Sequence, residues 1–128
     1  MTAIATSDRK SFGERLSQCI GEVEEILLRL LAISSENPPG DTAAPASEIQ
    51  SILSAVPGID VELVTAVEPI VNVAAVIRGR GPGRRLVFNG HLDTFENGDV
   101  SAWSTNPFGE RKAGWVWKKG GSNAVRLA

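Results

Sequence analysis

Apolar residues return every three or four positions through Leu16, Ile20, Val23, Leu27, Leu30 and Leu31, the period of one face of an α-helix. Ser11 and Glu14 stand ahead of them as a Ser-x-x-Glu capping box. The spacing predicts a long amphipathic helix over about residues 12–32. Arg15, Glu22, Glu24, Glu25 and Arg29 fall mostly off the stripe and form its solvated side. The next stretch, Ser-Ser-Glu-Asn-Pro-Pro-Gly-Asp-Thr, is a loop by its turn residues. A second helix is expected over about residues 45–56, with Ile49, Ile52, Leu53 and Val56 inward. Pro45 suits its first turn, Gly58 stands past its end, and Pro57 opposes its continuation.

The period then changes to two. Ile59, Val61 and Leu63 alternate with Asp60 and Glu62, the pattern of a half-buried strand. Glu68-Pro69 punctuates the chain, and residues 70–77 form a second, more apolar strand. Gly79-Arg-Gly-Pro-Gly83 is a turn, not a dinucleotide fingerprint, since no helical pattern follows it. Residues 85–89 are expected to be a third strand, covered on both faces because Leu86, Val87 and Phe88 are continuously apolar. Beyond Thr94 the chain is loop-like, with a short strand expected at 114–117 and weak patterning over 118–128. Two helices, a β-hairpin and a central strand give an α/β fold whose sheet has only begun. The 128 residues suit one domain or the beginning of a larger one.

Composition narrows the function. A net charge of −2 and a pI near 5.4 leave no basic footprint for nucleic acid or an anionic membrane. The opening residues hold no secretory apolar run, and the cytoplasm is the expected location. The single cysteine, Cys19, excludes an internal disulfide and a cysteine-rich zinc site; beside Ile20 it is expected to be a small buried hydrophobe. Trp103, Trp115 and Trp117 are expected to pack, and Pro107-Phe108 to fix a loop under the site.

The chemistry-bearing stretch is Leu86-Val-Phe-Asn-Gly-His-Leu-Asp-Thr94. His91 and Asp93 would stand just beyond the C-terminal edge of the third strand, where open α/β sheets place ligands. One residue apart in extended chain, they point to the same side. One group can then bind a metal while the other orients it. By itself His-x-Asp leaves a structural histidine and a metal ligand both open. His91 is the only histidine, whereas a catalytic zinc takes about three protein ligands.

Asn89-Gly-His-Leu-Asp-Thr94, followed by Gly98-Asp99, Trp103 and Pro107-Phe108, resembles the first metal motif of one hydrolase family. That family holds acetylornithine deacetylase, succinyl-diaminopimelate desuccinylase and related zinc carboxypeptidases and aminoacylases. Leu31-Ala-Ile-Ser-Ser-Glu-Asn-Pro-Pro-Gly40 resembles its N-terminal signature, and Asn72-Val-Ala-Ala-Val-Ile-Arg-Gly79 its second strand. The resemblance implies the N-terminal portion of an α/β/α zinc-hydrolase catalytic domain. It implies His91 as a ligand of one of two zinc ions, cobalt being a possible substitute, and Asp93 as the carboxylate that holds or tunes His91. It further implies hydrolysis of N-acyl amino acids or small peptides by a metal-activated water, in a homodimer built through a separate domain.

The resemblance also has a departure. Where the family carries a bridging aspartate, this chain reads Gly120-Gly-Ser-Asn123, so a neutral amide stands at that position beside Lys118 and Lys119. The family's later Glu-Glu pair, remaining ligands and dimerisation domain have no counterpart among the 128 residues. Two outcomes are therefore expected together: a hydrolase lineage, and a truncated or frame-altered polypeptide that is inert alone. A non-enzymatic interaction module is the further alternative, without a positive feature of its own.

Overall fold

The computed structural model describes residues 6–104, 106–112, 115–117 and 125–126, with side chains described for 10–104 and 106–109. It is mixed α/β. Helix α1 spans Thr6–Leu31 and α2 spans Ala43–Ser54. Between them lies a two-residue strand, β1 (Glu36–Asn37). Strands β2 (Ile59–Val67) and β3 (Ile70–Ile77) follow, and then β4 (Thr94–Phe95). A 3-10 turn at Val100–Ala102 leads to β5 (Glu110–Lys112), β6 (Trp115–Trp117) and β7 (Val125–Arg126).

The hairpin is the most direct consequence of the sequence pattern. β2 and β3 pair antiparallel, from Ile59 opposite Ile77 to Thr65 opposite Val71, with a bulge before Val67 opposite Ile70. The alternation places Ile59, Val61 and Leu63 half-buried and Asp60 and Glu62 in solvent. Helix α2 packs on this hairpin, and Ala46 and Val71 are buried in the small core between them. Thr42, just ahead of α2, locks the two together. Its buried hydroxyl donates to the Val71 carbonyl and accepts from the Val71 amide, each at 2.8 Å. The other pairings are β1 with β4, parallel, and the antiparallel run β5-β6-β7.

Four expectations need correction. Helix α1 begins at Thr6, so Ser11 and Glu14 lie inside it and do not cap it. The charged and polar residues ahead of Ser11 tolerate helix, and the local capping signal is overridden. The stripe of α1 is buried only towards its C-terminal end. There Leu27, Leu28, Leu30 and Leu31 are half-covered, Arg29 pairs with Glu48 of α2, and Gly109 approaches so closely that a Cβ would stand 3.0 Å from that of Leu31. Phe12, Leu16, Ile20 and Val23 are exposed, at 62%, 53%, 44% and 60%. Cys19, on the same stretch, is also exposed.

The largest correction is the third strand. Among the described residues, 85–89 pair with no strand, and Leu86, Val87 and Phe88 are 76%, 72% and 88% exposed. An apolar run becomes a buried strand only where a neighbour supplies backbone partners and a covering layer. Here the segment and β3, with residues of α2, line an open volume of about 1440 Å³. The strand expected at 114–117 is present as β6, while Lys118, Lys119, Gly120, Ser122 and Asn123 lie outside the described residues.

Candidate functional site

The site forms where the loop after α1 meets the segment carrying His91. Residues 35–37 and 94–95 run side by side: the Thr94 amide donates to the Ser35 carbonyl at 2.9 Å, and Glu36 and Asn37 register with Thr94 and Phe95. The Ser35 hydroxyl, on a buried residue, donates to the Leu92 carbonyl at 2.7 Å. On the far side Glu36 Oε1 accepts from the Asn97 amide at 2.9 Å, and Trp103 Nε1 donates to the Asn97 carbonyl at 3.1 Å. Three consecutive residues of the loop thus grip the histidine segment from both ends.

His91 and Asp93 do share one side of the chain. Nδ1 of His91 lies 2.8 Å from the Asp93 carbonyl oxygen and 3.1 Å from Oδ1. Both are acceptors, so Nδ1 carries the hydrogen, and in the neutral ring Nε2 keeps the free lone pair. The ring is 85% exposed and the carboxylate 37%. Asn37 Nδ2 donates to the other carboxylate oxygen, Oδ2, at 2.9 Å. The Asn37 amide is the main cause that holds the Asp93 carboxyl below its usual 3.8; burial opposes it, and His91 adds a lesser lowering contribution. Asp99, also lowered from 3.8, accepts from the Ser101 hydroxyl and amide and caps the 3-10 turn, a structural task.

His91 precedes the short strand β4 and does not follow a covered central strand, which corrects the expected placement. The pair lines the volume beside β3, together with Asn37 and Gly40. Asn37 carries no site signal in its own chemistry. The available signal is the stretch from Leu31 to Gly40, whose family resemblance acquires a purpose only when the fold brings it against Asp93. Trp103 is half-buried and hydrogen-bonded, the packing role expected of it. Buried Pro107 and half-buried Phe108 belong to the loop whose Gly109 seats against Leu31 and Leu28. The side chains of Trp115 and Trp117 lie outside the described set.

His91 fits a metal as a single ligand: an exposed imidazole whose Nδ1–H is held by Asp93, with Nε2 as the nitrogen that Asp93 does not engage. A closed site does not fit. The chain has one histidine, and no group of three His, Cys, Asp or Glu residues is assembled among the described residues. No helix among them is long and apolar enough to cross a membrane.

Comparison with known proteins finds a partial match. The chain is 42% identical over 45 residues to succinyl-diaminopimelate desuccinylase of Cereibacter sphaeroides, a match covering 34% of this chain and 12% of that enzyme. It is 38% identical over 55 residues to succinyl-diaminopimelate desuccinylase of Ruegeria pomeroyi, covering 42% of this chain and 14% of the relative. The matched stretch is thus about an eighth of the length of the Cereibacter enzyme. No family model matches the chain, and no solved structure matches at comparable stringency. The chain is therefore partly similar to a desuccinylase.

Proposed function

We propose that this chain carries the first ligand segment of a metal-dependent amide hydrolase, with His91 Nε2 as the ligating atom and Asp93 as its positioning carboxylate. The observation that carries this is the contact of His91 Nδ1 with the Asp93 carbonyl and carboxylate, which leaves one nitrogen for a cation. The similarity to succinyl-diaminopimelate desuccinylases supports the same lineage. It favours an N-acyl amino acid as the substrate class and zinc, with cobalt as a substitute, as the metal. In such enzymes the ion supplies Lewis acidity and a water acidic enough to attack near neutral pH. This chain's own residues perform the orienting part: Asn37 holds Asp93, Asp93 fixes the ring, and the ring presents Nε2. A cytoplasmic location belongs to the same proposal.

One imidazole falls short of the roughly three protein ligands that hold a catalytic zinc. The 128 residues alone should therefore bind zinc weakly, at one ion per chain, and hydrolyse no amide. Calorimetry with zinc, on the wild-type chain and on His91→Ala, tests the first point. Weak binding lost with the imidazole supports the proposal; tight binding of two ions, or binding indifferent to the substitution, contradicts it. Assay on N-acyl amino acids with zinc or cobalt tests the second, where steady turnover abolished by His91→Ala would overturn the expected inactivity.

A further inference from the structure

Near its C-terminal end helix α1 is anchored through Arg29–Glu48 and the approach of Gly109. Ahead of that anchor, Phe12, Leu16, Cys19 and Val23 recur at spacings of four, three and four, one side of a helix with 3.6 residues per turn. Ile20 flanks them. All four large apolar side chains are at least 44% exposed, and Cys19 is exposed with them. A contiguous apolar face over about three turns of a helix marks a contact surface.

The charges beside the stripe say what covers it. Arg15 and Glu22 are seven residues apart, two turns, and so lie on the same flank of the stripe. Neither has an opposite charge three or four residues away along the helix, and neither takes part in a salt bridge among the described residues. Two such helices laid antiparallel about a twofold axis bring like flanks together. Phe12 then sits opposite Val23 of the second copy, Leu16 opposite Ile20, and each Arg15 opposite a Glu22. Cys19 falls close to the axis. A parallel pair would instead set Arg15 against the other flank, which at that level carries Gly13 and Ser17.

We propose that the exposed stripe of α1 is the contact surface for an antiparallel, twofold pairing with a second copy of this chain. The interface is self-complementary, as a twofold contact must be. It is small, below the ~1,200 Å² of standard interfaces, so the pairing is weak and concentration-dependent. It does not depend on the metal proposal or on a separate dimerisation domain.

Sedimentation equilibrium of the full chain tests it. Arg15→Glu and Glu22→Arg singly should each weaken the dimer about three- to tenfold, the size expected when two exposed ion pairs become repulsive. Making both substitutions in one chain should restore it, since the two charges are then exchanged and opposite signs face each other again. Both positions are exposed, and unchanged helicity by circular dichroism keeps folding out of the comparison. Mild oxidation should trap a Cys19–Cys19 dimer in the wild type and less of it in either single variant. A chain that stays monomeric, a dimer insensitive to the single reversals, or a double exchange that fails to restore association would each overturn the proposal.

Discussion

The side-chain amide of Asn37 donates to Oδ2 of Asp93 at 2.9 Å, across 56 residues of chain. The opposite oxygen, Oδ1, lies 3.1 Å from Nδ1 of His91. One carboxylate therefore links the loop after α1 to the imidazole, with each oxygen given its own donor. A carboxylate restrained from both sides cannot rotate away from the ring, and the ring's free nitrogen acquires a fixed direction.

Removing the Asn37 amide should release that restraint. In Asn37→Ala the Asp93 carboxyl should titrate higher, nearer its ordinary 3.8, as carbon-13 NMR of the carboxyl would show. Zinc affinity should fall about ten- to hundredfold, the usual effect of losing a residue that orients a ligand. An unchanged Asp93 titration would mean that the amide does not reach the carboxylate in solution.

Gly40 supports Asn37 from beneath. It is buried with φ of 76°, its amide donates to the Glu36 carbonyl at 2.9 Å, and a Cβ there would stand 3.3 Å from Asn37 Cγ. Gly40→Ala should cost about 1–2 kcal/mol for the left-handed backbone and displace the Asn37 amide as well. Chemical denaturation measures the first effect, and the Asp93 titration the second.

Acid should destabilise the fold through the same carboxylates. Asp93 and Asp99 both titrate below 3.8 in the folded chain, the first mainly through Asn37 and the second through Ser101. A lowered carboxyl favours the folded state above its unfolded value and loses that contribution as pH falls through the folded value. The thermal midpoint should therefore drop on acidification below about 3.8, and Asp93→Asn should shallow that limb. Identical acid limbs for the two proteins would contradict the assignment.

The exposed run Leu86, Val87 and Phe88 offers a sharper test of the fold. Phe88 is 88% exposed, so Phe88→Ala should change stability by no more than about 0.5 kcal/mol, as surface substitutions do. A loss of about 3–5 kcal/mol, the cost of emptying a packed core position, would show that the segment is a covered strand after all.

That run marks the limit of what periodicity conveys. The alternation of Ile59, Val61 and Leu63 is enough to place β2, and the apolar stretch 70–77 enough to place β3, because each pattern is satisfied by its neighbour in the hairpin and by α2. For 85–89 the apolar character is just as plain, yet burial depends on a partner strand that local sequence does not encode. The pairing of β1 with β4 is invisible for another reason: two residues carry no period. In the site, spacing alone pairs His91 with Asp93. It cannot add Asn37, whose role arises only when a loop 56 residues away folds against the carboxylate. The stripe of α1 is legible as a pattern, but the pattern does not tell that the core stops short of its N-terminal half.

The most direct test is nitrogen-15 NMR of the His91 ring during zinc titration. Nε2 should move to the position of a metal-bound nitrogen while Nδ1 keeps its hydrogen, and both responses should shift in Asp93→Asn. Binding through Nδ1, or a ring untouched by zinc, would contradict the central claim.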